Sequence, residues 1–351
     1  MKEMAMRVYE IGDYSKGLAL EIKERPIPIP GYGEALMKVR ATGLNARDLS
    51  IIRGSLTTRQ MPFSRIPLSD NAGQVVSIGS GVTRVQPGDR VTMTHYWQWL
   101  DGSWNSKMAE EDFAATIDGF LAEMVVVPAD ALVHIPDYLS YEEASTLQSA
   151  GLTAWNAVVE AGQVQPSSTV LTLGTGGVSV FGLQWAKMLG AKVIVTSSSD
   201  KKLERMRQLG ADITVNYTKH KNWSNEVIDL TGGAGADVIL NNVGISEMEN
   251  CLLSCASNGR VMYIGANPVV HNKPAEAPST LDRLTNLIIK DLTIKGIIVG
   301  SRRMFEDLLF AMTTNQLRPV IDRTYRFEEV LDAIEYMESG TKIGKIVITV
   351  Q

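Results

Sequence analysis

The chain has 351 residues, 44% of them hydrophobic and 21% charged, with a formal net charge of -5 and a pI near 5.5. That length is too great for one ordinary core and points to two domains. The acidic balance gives no overall electrostatic reason to bind nucleic acid or an anionic membrane.

The opening MKEMAMRVYEIGDYSKG lacks the apolar centre of a signal peptide, and no run reaches the length of a membrane span, so a cytoplasmic protein is expected. LALEIKERPIPIPGYGEALMKVRATGLN then holds two strand candidates separated by Pro and Gly, and GQVVSIGSGVTRVQPGDRVT holds two more. These runs predict a mostly β domain. From His95 to Phe120 the rhythm breaks, and Trp97, Trp99 and Trp104 fall in a segment expected to pack on itself or to cover a cleft. Its tryptophans either stabilise the excursion or wall a flat apolar substrate.

Beyond Val170, VLTLG, KVIVTS, ITVNY, DVILNNVG, GRVMYIGAN and LTIKGIIVG read as strands, with helical runs such as DKKLERMRQLG and NWSNEVIDLTGG between the first four. The alternation predicts an α/β unit with a doubly wound, mostly parallel sheet. Its first strand runs into Gly174, Thr175, Gly176, Gly177, Val178 and Ser179, then a helix whose buried face is expected at Val178, Phe181, Trp185 and Met188. Glycines at such a turn let the backbone approach a pyrophosphate, which the helix N-terminus binds. Ser179 stands where the last glycine of G-x-G-x-x-G would be.

The second strand ends in Ser197, Ser198 and Ser199, followed by Asp200, Lys201 and Lys202. An NAD site usually puts an acidic residue at that strand end; small hydroxyls leave room for a 2′-phosphate and a lysine adds charge, which favours NADPH over NADH. The serines can also cap the next helix, and Asp200 is the residue able to reverse the preference. Cys251 and Cys255, four apart in a segment that reads as helical, are expected as buried thiols and are too few for a metal site. The tail, RPVIDRTYRFEEVLDAIEYMESGTKIGKIVITV, reads strand, helix, strand, and its β runs can return to the first domain.

In order along the chain, ATGLNARDLSIIRG, SDNAGQVVSIGSGVTRVQPGDRV, LQSAGLTAWNAV, GTGGVS, TSSSDKKLERMRQLGAD and GKIVI resemble the landmarks of the medium-chain dehydrogenase/reductase superfamily. The resemblance implies an α/β protein with a GroES-like, β-rich catalytic domain at 1–150 and 300–351 and a Rossmann domain at 151–299. In the alcohol dehydrogenases of that family a catalytic zinc is held by a Cys, a His or its neighbouring Glu, and a third Cys or acidic ligand. Asn45, Ser69 with Asp70, and Ser149 stand at those positions here, and amide and hydroxyl groups are poor zinc ligands. The lobe that would hold a structural zinc, near 95–115, has no cysteine. Neither zinc is expected.

By the same resemblance Asn45 faces the nicotinamide and Asp48 follows one turn on. Arg47 and Asp48 either pair and anchor the loop or meet the substrate; Asp70 either is structural or holds Arg47 or another donor in place of a metal. Thr153 is placed at the nicotinamide ribose or amide, Gly174 to Ser179 at the pyrophosphate, and Ser197, Ser198, Lys202 and Tyr217 around the 2′-phosphate. Tyr217 can instead cap the core as a strand-end aromatic. Val243, Gly244, Gly265 and Ala266 end two strands on the side where an open α/β sheet binds its ligand. His95 and Tyr96 are the candidate proton donors.

The zinc-free branches that the chain resembles, quinone oxidoreductases and polyketide-type enoyl reductases, imply NADPH-dependent reduction of an activated C=C bond in a small apolar enone, enal, quinone or enoyl substrate. A metal-free ketone/alcohol oxidoreductase and an NADPH-binding structural or regulatory protein are the alternatives. A homodimer formed through LTIKGIIVG is the family habit, unless that strand is covered.

Overall fold

Short runs of β-branched and apolar residues broken by Pro and Gly build the first part of the chain as strands β1 (Ala5–Ile11), β2 (Leu20–Pro26), β3 (Glu34–Leu44), β4 (Ala72–Ile78), β5 (Arg90–Met93), β6 (Met124–Pro128) and β7 (Leu132–His134). Two short helices, α1 (Ala46–Ile52) and α2 (Tyr141–Ala144), accompany them. A computed structural model describes residues 5–12, 20–54, 64–220, 222–265 and 285–351. The chain divides into two compact units, residues 1–152 with 299–351, and residues 153–298.

In the first unit β3 is the organising strand. β4 runs along one edge of it, while β6 and the C-terminal strand β15 (Lys345–Thr349) share the other. Register Ile346↔Leu44 brings the start of β15 to the end of β3, so residue 345 arrives beside residues 44 and 45 from 300 positions away. β14 (Ile321–Arg326) extends the sheet beyond β15 in parallel, and α9 (Arg302–Asn315) and α10 (Val330–Glu338) belong to the same returning segment. Met37, Val39, Leu44, Ile51, Phe120 and Ile348 lie in its core.

The second unit is a six-stranded sheet, among the described residues, in the order β10 (Ile213–Asn216), β9 (Lys192–Ser197), β8 (Thr169–Leu173), β11 (Ala236–Asn241), β12 (Cys255–Tyr263), β13 (Thr293–Gly296). Every pairing is parallel. The strand order reverses between β8 and β11, the place where such sheets form a ligand crevice beyond the strand C-termini. α3 (Leu152–Trp155), α4 (Gly177–Met188), α5 (Asp200–Gln208), α6 (Trp223–Leu230), α7 (Met248–Ser254) and α8 (Thr285–Ile289) complete the helices up to β13.

Two expectations need correction here. α4 does not bury one stripe: Val178 and Met188 are only half-buried, while Ser179, Val180, Phe181, Gly182, Leu183, Trp185 and Ala186 are all inside, because this helix is enclosed on most sides. The cysteine pair is not on one helix, since α7 ends at Ser254 and Cys255 opens β12. Both thiols are free and buried, and burial pushes Cys255 up to about 12 and raises Cys251 as well, which makes them unreactive. Among the described residues no helix is long and apolar enough to cross a membrane.

Candidate active site

At the junction of β3 and α1 the backbone turns at Asn45, and three chain segments meet there through one ammonium group. Lys345 Nζ donates to Leu44 O at 3.2 Å, to Asn45 Oδ1 at 2.6 Å and to Asp70 Oδ2 at 2.9 Å, with the Lys345 and Asp70 side chains 2% and 0% exposed. The other Asp70 oxygen accepts the Ser149 backbone N–H at 2.9 Å. Ser149 sits in a π-helical turn, Leu147–Gly151, a distortion that often marks functional positions. Gly43 makes the pair possible: a Cβ there would lie 2.6 Å from Asp70 Oδ2 and 3.2 Å from Lys345 Nζ. Asn45 Nδ2 and Ser149 Oγ are buried without a hydrogen-bond partner among the described residues.

At the start of α1, Arg47 and Asp48 do not pair with each other, one of the two alternatives the sequence leaves open for them. Arg47 instead makes a two-pronged bond with Asp112, both contacts at 2.9 Å, and its NH1 lies 2.7 Å from His95 Nε2. Asp48 accepts the Asn45 backbone N–H at 2.8 Å and the Ser69 hydroxyl at 3.3 Å, and burial pushes its carboxyl up to about 6 against the pull of Arg47. Asp70 does not hold Arg47 either; its partner is Lys345. The fork of a guanidinium matches a carboxylate, and Asp112 is the one that the excursion delivers.

His95 is 1% exposed, with Nε2 also 2.9 Å from Asp112 Oδ1, and burial followed by the neighbouring Arg47 lowers its pKa, so it stays neutral near pH 7. This is a structural setting for an imidazole, and His95 is better read as a support of Arg47 than as a proton donor. Tyr96 stacks edge-on against His95 at 4.6 Å and meets Trp104 at 4.9 Å; Trp104 meets Trp99 at 5.0 Å. Trp97 Nε1 donates to Glu111 and Trp99 Nε1 to Gly102 O. The tryptophans therefore brace the excursion.

For Asp112 burial acts to raise the carboxyl, but Arg47 and His95 outweigh it and hold it down to about 2. A carboxyl depressed from 3.8 stabilises the fold above that pH and loses the contribution as pH falls toward 2. Urea titrations should show the protein losing about 2 kcal/mol over that window through this group. Asp112→Asn should remove that part of the acid sensitivity while lowering stability at neutral pH, and an unchanged acid slope would refute it.

In the second unit Gly174 has φ 79°, a left-handed conformation that only glycine takes without strain, and it turns β8 toward α4. A Cβ on Gly174 or Gly176 would meet nothing within 4 Å, and no side chain caps α4 at Gly176. The loop is thus an open cradle at the N-terminus of a twelve-residue helix, which fits a pyrophosphate. Thr175 and Thr153 are buried, Gly177 and Val178 half-buried. The Ser179 hydroxyl is not in the cradle: it donates to Leu173 O at 2.7 Å and accepts from Asn242 Nδ2 at 3.0 Å.

At the end of β9 Ser197 is buried and Ser198 exposed, while Ser199 caps α5 by accepting from the Lys202 backbone N–H at 3.4 Å. Asp200 has both oxygens engaged, Oδ1 by Asn216 at 2.7 Å and Oδ2 by Lys219 at 2.6 Å. Tyr217 is 43% exposed, so it does not cap the core. Val243 and Gly265 end neighbouring strands so close together that a Cβ on Gly265 would lie 2.2 Å from Asn242 O, and Gly244 has φ 116°. Ala266 lies outside the described residues.

Two family models match, an alcohol dehydrogenase GroES-like domain over residues 31–137 and a zinc-binding dehydrogenase over residues 177–314. A zinc-type alcohol dehydrogenase-like protein of Schizosaccharomyces pombe is 35% identical over 99% of this chain and 100% of its own. The chain belongs to the medium-chain dehydrogenase/reductase superfamily. It is an NAD(P)-dependent oxidoreductase of that superfamily. A solved structure described as an alcohol dehydrogenase from Sinorhizobium meliloti superposes with a TM-score of 0.90 at 38% identity, covering 100% of both chains. Acryloyl-coenzyme A reductase of Metallosphaera sedula is 27% identical over 94% of this chain and 96% of its own.

The family implies a catalytic zinc, and the residues present do not fit one. The amide and hydroxyls of Asn45, Ser69 and Ser149 are weak ligands, and Asp70, the carboxylate at those positions, is already held on both oxygens by a lysine ammonium and a backbone N–H. Lys345 and Asp112 are the members of this buried charged network that sequence reasoning missed. A lysine within the apolar run KIVIT of a buried strand was the available signal for the first; Asp112 carried none.

Proposed function

We propose that the protein is a zinc-independent, NADPH-preferring reductase of the activated C=C bond in a small or medium apolar enone, enal, quinone or enoyl compound. The observation that carries this reading is the Lys345–Asp70 ion pair, which occupies Asp70 at a zinc-ligand position, together with Asn45 Nδ2 and Ser149 Oγ, which have no hydrogen-bond partner among the described residues. Bound nicotinamide supplies the hydride. In conjugate reduction the negative charge spreads over an enolate, for which neutral hydrogen-bond donors suffice; direct ketone reduction localises an alkoxide that a Lewis acid stabilises better. The α-carbon then takes a proton from solvent or from Tyr96. The name of the Metallosphaera relative, a reductase of an enoyl thioester, agrees with this reading. The alcohol dehydrogenase names of other relatives favour the second one, metal-free interconversion of a ketone and an alcohol.

NADPH preference rests on Asp200, whose engagement by Lys219 and Asn216 leaves it poorly placed to accept from a ribose hydroxyl, and on the exposed Ser198 at the strand end. Ser198→Asp should lower kcat/KM with NADPH about tenfold or more through repulsion of the phosphate, with NADH little affected. Equal losses with both cofactors would oppose the assignment. The proposal includes a cytoplasmic homodimer joined along β13, an edge strand exposed at every residue, with Ile288 and Ile289 exposed on α8; sedimentation at micromolar concentration tests the dimer.

The deciding experiment uses NADPH deuterated at C4, in both stereoisomeric forms, with a panel of α,β-enones. Deuterium on the β-carbon of the product supports the proposal. Deuterium on the carbinol carbon selects the ketone/alcohol reading instead, and no transfer across the whole panel removes both.

A further inference from the structure

We infer that Lys345 is a positioning residue: it fixes the Asn45 carboxamide so that Nδ2, together with the Ser149 hydroxyl tied through Asp70 to the same network, donates to the carbonyl oxygen of the substrate. This deepens the proposed reduction and rests on it for the identity of the substrate.

An ammonium group has three N–H donors and no acceptor. All three Lys345 donors are matched, by Leu44 O, Asn45 Oδ1 and Asp70 Oδ2, so Lys345 has no further bond to offer a substrate. Its effect is orientation. Facing a group that only donates, the amide must present its oxygen, which fixes the flip that is otherwise ambiguous for asparagine and turns Nδ2 the other way. Nδ2 is then a buried donor with no partner among the described residues. Buried donors are nearly always satisfied, because an unmade bond costs more than a made one gains. A ligand oxygen would satisfy it.

A second buried group points the same way. Ser149 Oγ is likewise without a partner, and its backbone N–H is held by Asp70 Oδ1, the carboxylate whose other oxygen holds Lys345. One aspartate thus ties both donors to one frame, and Gly43 packs against that frame with no room for a side chain. In the reaction, hydride from C4 of NADPH, which is thereby oxidised to NADP⁺, would form a bond to the β-carbon, the C=C π pair would move to form the enolate, and its oxygen would be held by Nδ2–H and Oγ–H. Protonation at the α-carbon by solvent restores the carbonyl. Preorganised donors of this kind act where charge develops and need no rearrangement at the moment of reaction.

The test compares wild type, Asn45→Asp, and the double variant Lys345→Met with Asp70→Asn, which removes both charges so that no buried ion is left alone. With cyclohexenone and NADPH, Asn45→Asp should lower kcat about 100-fold, the loss of one oxyanion donor. The double variant should lower kcat about tenfold or more while the NADPH Kd stays within about twofold, because the amide is no longer held. An independent readout is the side-chain amide resonance of Asn45 in protein labelled at asparagine, assigned by its disappearance in Asn45→Asp. Cyclohexanone added to the complex with NADP⁺ should shift it in wild type and not in the double variant. A double variant with wild-type kcat, or an Asn45 resonance that ignores the ketone, overturns the inference. If wild type reduces no enone but the ketone still shifts Asn45 through Lys345, the site assignment stands and the choice of C=C substrate falls.

Discussion

Lys345→Met is expected to destabilise the first unit by about 3–5 kcal/mol, a large share of the stability of an ordinary domain. The methionine fills a similar volume, so the cost is not a cavity. It arises because Asp70, wholly buried, keeps only the Ser149 N–H, and Asn45 Oδ1 and Leu44 O lose their donor at the same time. The pair itself need not be strongly stabilising, since withdrawing two ions from water offsets most of their attraction. Exchanging both partners, Lys345→Met with Asp70→Asn, should therefore recover more than half of the loss. Urea unfolding followed by fluorescence reads both variants. A single variant within about 1 kcal/mol of wild type would mean that the ammonium is not buried against Asp70 at all.

Gly176→Val should leave stability nearly unchanged and raise the Kd for NADPH at least 100-fold, about 3 kcal/mol. The backbone at Gly176 has φ -76°, which any residue adopts, and a Cβ there would meet nothing within 4 Å. The expected folding cost is only the poorer N-cap, within about 1 kcal/mol. The space the valine fills is the one a pyrophosphate needs to reach the N–H groups of α4. Gly174→Val, by contrast, forces a branched residue to φ 79° and should lose both stability and affinity. Titration of nucleotide fluorescence and thermal unfolding separate the two. A Gly176→Val protein with normal affinity would remove the pyrophosphate from this loop.

Much of the architecture was legible because it is repeated along the chain. Each of the six β-like runs after Val170 is a strand of the parallel sheet: the central ones, β8, β9 and β11, are apolar enough to be buried on both faces and read plainly in one dimension, and the alternation with helices marks the outer ones. Helix faces were less legible. The stripe assigned to α4 failed at Val178 and Met188 because a nearly enclosed helix has no single apolar face to find. The cradle at Gly174 and Gly176 was visible for a local reason: a strand, a tight turn and a helix start are contiguous.

The charged core of the first unit was hidden for the opposite reason. Arg47 lies next to Asp48, yet it bonds Asp112, sixty-five positions on, and Asp70 bonds Lys345 at a separation of 275. Pairing of charges depends on which groups share a low-dielectric space, and proximity in sequence says little about that. By itself, then, the sequence determined the two-domain family fold, the glycine turn between β8 and α4 and the lack of zinc-binding side chains at Asn45, Ser69 and Ser149. Only the tertiary structure decided what stands in their place, because antiparallel pairing of β15 with β3 is what carries the Lys345 ammonium to Asn45 and Asp70.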